Sequence, residues 1–476
     1  MRRWLLPGLV VGLLVALTLG QVAQSAESDP STKSTKKSTS KTKKKTASKK
    51  SSSTKSTKKT RRARVPKPPP ATVEQREVAR LFVEDRASDA MDLGVQNPAA
   101  LIPFFERIYR SQLPDGVEES ERTVRVLQYG DSHTAADDWA SAVRGVLQPK
   151  FGDGGVGFIQ AGHPYDGFRR TDAKGTQSRG WQPHGLLNRE GDGLYGMAGV
   201  RLETDRPGET LTLDADGTAV ELYFWKQSGG GRIAISDNGT ALATLDTGGE
   251  TGPGFWRQVL PAGPHHLELR TQDEAPVIVF GWTVEKGHGL TWEPFGINGG
   301  QADLLLLWNE PLLRAQLARR DPGLIVLAYG TNEARRSDWN VESYREMLRN
   351  VLRRFRQAAP LASILVIGAP DQSLRARRSI MPVEGVDRID TAQREAALAE
   401  GCAFWNLRVA MGGRGSMKQW VTAGLAQGDF VHLTGPGYRL WGESLAQLLL
   451  QNYSVYGTVR SQVFGKSEHG SPLKTH

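Results

Sequence analysis

The chain has 476 residues, one cysteine and a formal net charge of +10, so one or two folded domains with tails are expected. A lone cysteine excludes an internal disulfide and a thiolate metal cluster, and Cys402, in the apolar run Cys402-Ala403-Phe404-Trp405, reads as a buried inert thiol. Residues 31–70 hold 16 Lys and Arg and no acid, while 1–30 balance to zero, which leaves 71–476 at −6. The basic charge therefore belongs to a tail, and the body offers no argument for nucleic acid as a partner.

In chain order, Arg2-Arg3, the apolar run Trp4 to Gly20 and the small residues around Ala23-Gln24-Ser25 give residues 1–25 the layout of an export signal, or of an uncleaved anchor. Export to the periplasm or cell envelope is the expectation. Residues 26–74 form a Lys/Ser/Thr-rich and then Pro-rich linker with almost nothing to bury. A solvated spacer is the simple reading. An electrostatic tether to an acidic envelope polymer or anionic lipid is the sharper one.

From about residue 75 the pattern becomes globular. Val124–Tyr129 reads as a buried strand and Ala135–Leu147 as the helix after it; Leu324–Tyr329, Ile364–Ile367 and Ala403–Leu407 are further strands. Helices are expected near 303–319, 340–358 and 390–400, and this alternation implies a parallel sheet covered on both faces. Residues 176–290 break the rhythm. Short strand candidates at 200–203, 210–213, 219–225, 232–236, 242–245, 256–260, 266–270 and 277–284 are separated by turn signals such as Asp216-Gly217 and Asn238-Gly239. That spacing predicts an inserted β-sandwich, so the α/β domain is expected over 75–175 plus 291–456, with a tail at 457–476. Most of the insertion's aromatics (Trp181, Phe224, Trp225, Trp256, Trp282) are expected in its core, and the insertion is expected to border the cleft.

Four motifs carry chemistry. Gly130-Asp131-Ser132-His133-Thr134 lies between a strand and a helix, where a serine stands at the carboxyl edge of the sheet; a Ser or Asp helix cap is the simpler account. Asp429-Phe430-Val431-His432 places an acid three residues before a histidine, a spacing that lets the carboxylate accept from Nδ1 and leaves Nε2 for a nucleophile. Gly330-Thr331-Asn332-Glu333 ends a strand with a side-chain amide, and Gly296-Ile297-Asn298-Gly299-Gly300 is a glycine turn with backbone donors. Any one of these alone would be a cap, a turn or a structural histidine.

Together, in this order, they resemble the SGNH (GDSL-like) hydrolases over roughly 120–175 and 290–452. The resemblance implies a flavodoxin-like α/β fold, Ser132 as nucleophile, His432 as base and Asp429 as its orienter. The oxyanion donors it implies are Ser132 N–H, Gly299 N–H and Asn332 Nδ2, with Gly300 able to replace Gly299 after a one-residue slip. Glu333 stands where many members have Asp. The longer strings GDSHTAADDW, FGDGGVGF and GINGGQADLL around a β-rich insertion are similar to bacterial peptidoglycan O-acetylesterases, whose insertion resembles a carbohydrate-binding module. The expected activity is an exported serine esterase removing O-acetyl groups from an envelope polysaccharide, with no cofactor and no metal. A polysaccharide O-acetyltransferase using the same triad, and a non-catalytic wall-binding protein, are the alternatives.

Two patterns fail their context. Gly152–Gly157 matches G-x-G-x-x-G but follows a probable helix, so it does not read as a dinucleotide site. His265 and His266 are adjacent on a strand and point to opposite faces, which does not suit one metal ion. His133, beside the nucleophile, reads as a packing or hydrogen-bonding neighbour.

Overall fold

The computed structural model describes residues 70–113, 122–376 and 379–464. The segment expected as an export signal, nearly all of the expected linker and the end of the expected C-terminal tail lie outside the described residues. Among the described residues no helix is long and apolar enough to cross a membrane.

Five parallel strands form the central sheet in the spatial order Gly289–Gly296, Thr123–Gly130, Leu324–Ala328, Ser363–Ile367 and Ala403–Trp405. Numbered along the chain this is 2-1-3-4-5, the flavodoxin-like order, whose switch point lies beside the first strand. Each strand is apolar on both faces. Leu127, Tyr129, Ile325, Leu327, Ile364, Val366 and Phe404 belong to one core. Their neighbours Val126, Leu324, Val326, Leu365, Ile367, Ala403 and Trp405 belong to the other. The period of two thus divides a continuous apolar run between two helical layers. Helices Glu310–Arg320, Val341–Ala358 and Gly385–Ala399 cover the first face. Helices Ile102–Ser111, Asp138–Phe151 and Gly435–Phe464 cover the second. The last helix continues beyond residue 456, into the stretch expected as tail.

Gly289–Gly296 was not among the expected strands. Its sequence GLTWEPFG carries two glycines, a proline and an acid, which reads as loop. It forms a strand because it lies at the sheet edge, where Pro294 removes no essential ladder bond.

The insertion is a nine-stranded antiparallel sheet. The segments expected at 210–213 and 219–225 are one strand, Thr210–Lys226, and those at 256–260 and 266–270 are one strand, Gly252–Thr271. Asp216-Gly217, expected as a turn, instead marks a register shift within the pairing of these two long strands. The expected two layers are therefore one hydrogen-bonded sheet folded around a shared core that includes Leu202, Leu222, Ile235, Leu269 and Trp282. Asn238-Gly239 does make a hairpin turn, both residues having positive φ (50° and 79°). The sheet also takes in Gly155–Gln160, which pairs with Val277–Glu285 ahead of the expected boundary at 176. Of the insertion's aromatics, Trp181, Phe224 and Trp282 are buried, and Trp225 and Trp256 are half-buried.

A buried charge network joins the insertion to the central sheet. Arg320 Nε donates to Glu293 Oε2 (2.9 Å) and Nη1 to Glu285 Oε1 (2.6 Å); Arg125 Nε donates to Glu285 Oε1 (2.8 Å). Burial pushes the Glu285 carboxyl up, but Arg320 and Arg125 outweigh it and bring it down to about 2. Glu293 and Arg320 are 0% and 3% exposed. Removing one partner leaves the other charge buried and uncompensated, so we expect Arg320→Met to lose about 3–5 kcal/mol of stability. Replacing Glu293 by leucine in the same chain should recover much of it. Urea midpoints of the single and double variants decide this, and equal loss in both would remove the pairing argument.

Candidate active site

The first strand ends at Gly130, whose carbonyl accepts from Ile297 N–H (3.0 Å). A Cβ on Gly130 would lie 2.2 Å from Thr134 Oγ1, so only glycine lets the following turn fold back this tightly. Asp131 caps that turn, its carboxylate accepting from His133 N–H (3.0 Å). The capping role belongs to Asp131, which leaves Ser132 at the cleft.

Ser132 Oγ lies 3.0 Å from His432 Nε2, and His432 Nδ1 lies 2.7 Å from Asp429 Oδ2. The other Asp429 oxygen accepts from the backbone N–H of Val431 (3.0 Å) and His432 (3.1 Å). Burial pushes the Asp429 carboxyl up, yet the hydrogen bonds from the His432 side chain and these two backbone groups hold it below its ordinary value. An ionised Asp429 can only accept. Nδ1 therefore carries the ring proton, and Nε2 presents its lone pair to the serine hydroxyl. The loop that achieves this runs through Phe430, a buried residue at φ +62°. A bulky side chain in that region is strained, and its packing in the core holds it there.

Asn332 and the glycine turn meet. Asn332 Nδ2 donates to Gly300 O (2.8 Å), which fixes the amide and leaves its second N–H for another acceptor. Gly300 N–H is occupied by Ile297 O (2.8 Å), whereas Gly299 N–H has no acceptor among the described residues. Of the two glycines, Gly299 is therefore the one whose N–H stays available, and its φ of +76° favours glycine. Ser132 N–H likewise has no acceptor among the described residues.

His133 is 3% exposed, hydrogen-bonded through Nδ1 to Tyr438 OH (2.9 Å), and faces Trp441. Burial, opposed by the charge of Asp131, brings its pKa down to about 4, so the ring is neutral and tied to a structural partner. His265 and His266 are also tied down, each through Nδ1 to a different carboxylate, Asp237 and Asp214. Cys402 is buried, and burial pushes its thiol up, in keeping with an inert role.

Three features were not read from the sequence. Asp137, buried at φ +63°, accepts from Arg144 Nη1 and Nη2 (2.9 and 2.6 Å) and from Thr171 N–H (2.8 Å), tying the segment after Ser132 to the loop before the insertion. Insertion residue Leu187 lies 3.4 Å from where a Cβ on Gly299 would stand, so a loop of the insertion reaches the glycine turn. The third is Glu333, whose Oε1 accepts from Ala302 N–H (2.8 Å) and Oε2 from Gly330 N–H (3.1 Å), bracing the Asn332 turn against the chain just after Gly300. A G-x-N-E string carries no hint of the partner 31 residues away. An open cleft of about 390 Å³ is bordered by Ser132, His432, Arg169, Asn298, Gln427 and Thr434.

Burial pushes the Glu333 carboxyl up to about 7, with the Ala302 N–H opposing it. The folded chain then holds this proton more tightly than the unfolded one. Its contribution to stability is complete below about 4.5 and is lost as pH rises through about 7. Glu333→Gln cannot ionise. Between about pH 4.5 and 8, we expect wild type to lose up to about 3 kcal/mol relative to that variant. Urea midpoints across the range measure it, and a pH-independent difference would exclude ionisation of Glu333 in the fold.

Comparisons with known proteins agree with this geometry. Residues 270–440 match the GDSL-like Lipase/Acylhydrolase family, a span that includes Gly299, Asn332, Asp429 and His432. A solved structure of a peptidoglycan O-acetylesterase is 26% identical with a TM-score of 0.62, covering 74% of this chain and 96% of that one. A family two carbohydrate esterase from Cellvibrio japonicus (10% identity, TM-score 0.23, 59% and 98% covered) also matches. So does the acetyl xylan esterase AlAXEase (16%, 0.27, 34% and 80%). At such TM-scores neither of these two likenesses bears on function. No curated protein matches the chain. The parallel sheet, the inserted antiparallel sheet and the GDSL-like acylhydrolase match over residues 270–440 together support an SGNH carbohydrate esterase.

Proposed function

We propose that this esterase removes O-acetyl groups from a cell-envelope polysaccharide, specifically peptidoglycan, through an acetyl-enzyme formed on Ser132. The observation that carries the reading is the unbroken chain Asp429–His432–Ser132 opening on a shallow cleft, with the Asn332 amide bound to the glycine turn that borders it. His432 Nε2 takes the hydroxyl proton as Oγ bonds to the acetyl carbonyl carbon. The tetrahedral oxyanion is held by Ser132 N–H, Gly299 N–H and Asn332 Nδ2. Collapse expels the sugar alkoxide, which leaves with the proton from His432, and water repeats the sequence to release acetate. The half-exposed His432 and Asp429 side chains (38% and 45%) suit a small acyl group carried on a bulky polymer.

The choice of polymer rests on the likeness to a peptidoglycan O-acetylesterase, together with the export layout of residues 1–25. Export to the envelope, and contact of the Lys-rich linker with acidic polymer or anionic lipid, belong to the same proposal. The test is acetate release from O-acetylated peptidoglycan beside acetylated xylan. Faster turnover of the xylan would overturn the polymer assignment.

Ser132→Ala and His432→Ala should each lower kcat by about 10⁴-fold or more, and the double variant should be little worse than either, because the two act as one unit. Chromogenic acetate hydrolysis measures this, and wild-type-like activity in either single variant would sink the triad. Asn332→Ala should reduce kcat by about 10²–10³-fold with little change in KM, since its free N–H is needed once charge has developed. A pure KM effect would move Asn332 from the oxyanion hole to substrate binding.

A further inference from the structure

A second trough of about 400 Å³ adjoins the catalytic cleft, and the two share Asp138 and Gly435 in their walls. It runs between helix Asp138–Phe151 and the start of helix Gly435–Phe464. Gly145 and Gly435 on either side keep it open, and Ser141, Arg439 and Glu443 give it a polar lining. Each cavity falls within the range of about 300–1,000 Å³ typical of ligand sites, and together they make a continuous path leading away from Ser132.

Asp138 is bound to Arg169, whose Nε also donates to Ala136 O (2.8 Å). Arg439 and Glu443 stand one turn apart on the same helix, both exposed, at a spacing where opposite charges commonly pair. Yet neither has an ion-pair or hydrogen-bond partner among the described residues, although many arginines elsewhere in the fold are matched to carboxylates. The trough thus presents one unmatched cation and one unmatched anion to whatever extends from the active-site cleft.

We propose that this trough binds a peptide substituent of the polymer beside the acetylated sugar, Arg439 receiving a carboxylate and Glu443 a protonated amine. A plain neutral glycan has no group for either charge, whereas a glycan bearing short peptides has both on one substituent. The guanidinium fork matches a carboxylate in two parallel hydrogen bonds, and the acid one turn further along matches an ammonium group. The inference rests on the peptidoglycan reading above and adds which part of that polymer is recognised, on residues outside the catalytic centre.

The test uses the full chain with Ser132→Ala to stop turnover, and soluble disaccharide-peptide against the same disaccharide without peptide, by titration calorimetry. The peptide-bearing ligand should bind about tenfold or more tightly, and Arg439→Ala and Glu443→Ala should each remove most of that preference. Arg439→Lys should restore part of it. In the active chain, the same two substitutions should lower the ratio of kcat/KM on peptide-bearing over peptide-stripped acetylated glycan by a similar factor. Equal affinity for the two disaccharides, or a preference that survives both alanine substitutions, would overturn the inference. Peptide-dependent binding without acetate release from peptidoglycan would uphold the trough and refute the esterase assignment, so the two failures are distinguishable.

Discussion

Two adjacent strands of the central sheet end in glycine, a third glycine, Gly330, follows just beyond the end of the next strand, and the site depends on their shared lack of side chains. A Cβ on Gly296 would stand 2.1 Å from Ala135 N, and one on Gly330 would stand 2.7 Å from the Ala369 Cβ. With Gly130 between them, the turn bearing Ser132 settles directly onto the strand ends instead of above them. That close approach sets the turn bearing Ser132 against the strand ends at the switch of strand order, where a flavodoxin-like sheet leaves its natural crevice, and Asn332 meets the glycine turn through its bond to Gly300 O. An alanine at any of the three positions would push apart groups that must act within a hydrogen bond's length.

The insertion poses a different problem, because a separate sheet must be held rigidly against the domain it interrupts. The solution is electrostatic as well as apolar. Glu285 leaves the insertion, Glu293 lies on the edge strand of the central sheet, and Arg320 ends the helix that packs beside them. Arg319 adds a pair with Glu221 of the long strand Thr210–Lys226. Around these charges Tyr129, Phe158, Tyr223 and Phe295 contact one another edge to face, so aromatics from both sheets enter one core. The insertion shares that core with the central sheet, and its loop at Leu187 reaches the turn at Gly299.

Around the reacting groups, local strain and buried polar contacts replace what a deep pocket would supply. Phe430 and Asp137 both take left-handed conformations that non-glycine residues avoid, one on each side of the cleft. Each is over-determined by its surroundings: Phe430 by the apolar core, and Asp137 by two guanidinium contacts and a backbone N–H. Such positions persist where geometry matters more than local energy. They accompany an open, half-exposed chain of Asp429, His432 and Ser132.

The sequence by itself determined the elements whose signals are local. The apolar runs at 124–129, 324–328 and 364–367 had to be buried strands, and the three-residue spacing of Asp429 and His432 sufficed to orient the imidazole, because that contact closes within one loop. The fold class and the residues to watch followed from these and from the order of the four motifs. What tertiary structure decided was every feature whose partner is distant in sequence. Gly289–Gly296 is a strand only because an edge position tolerates its proline, and Asp216-Gly217 is a bulge only because both flanking segments pair with the same long neighbour. Among the described residues Gly299 and not Gly300 has an N–H without an acceptor because a turn occupies the latter, and Glu333 is a brace only because Ala302 N comes within 2.8 Å of it. Periodicity reports what a residue must bury. Which donor remains unmatched depends on the whole packed chain.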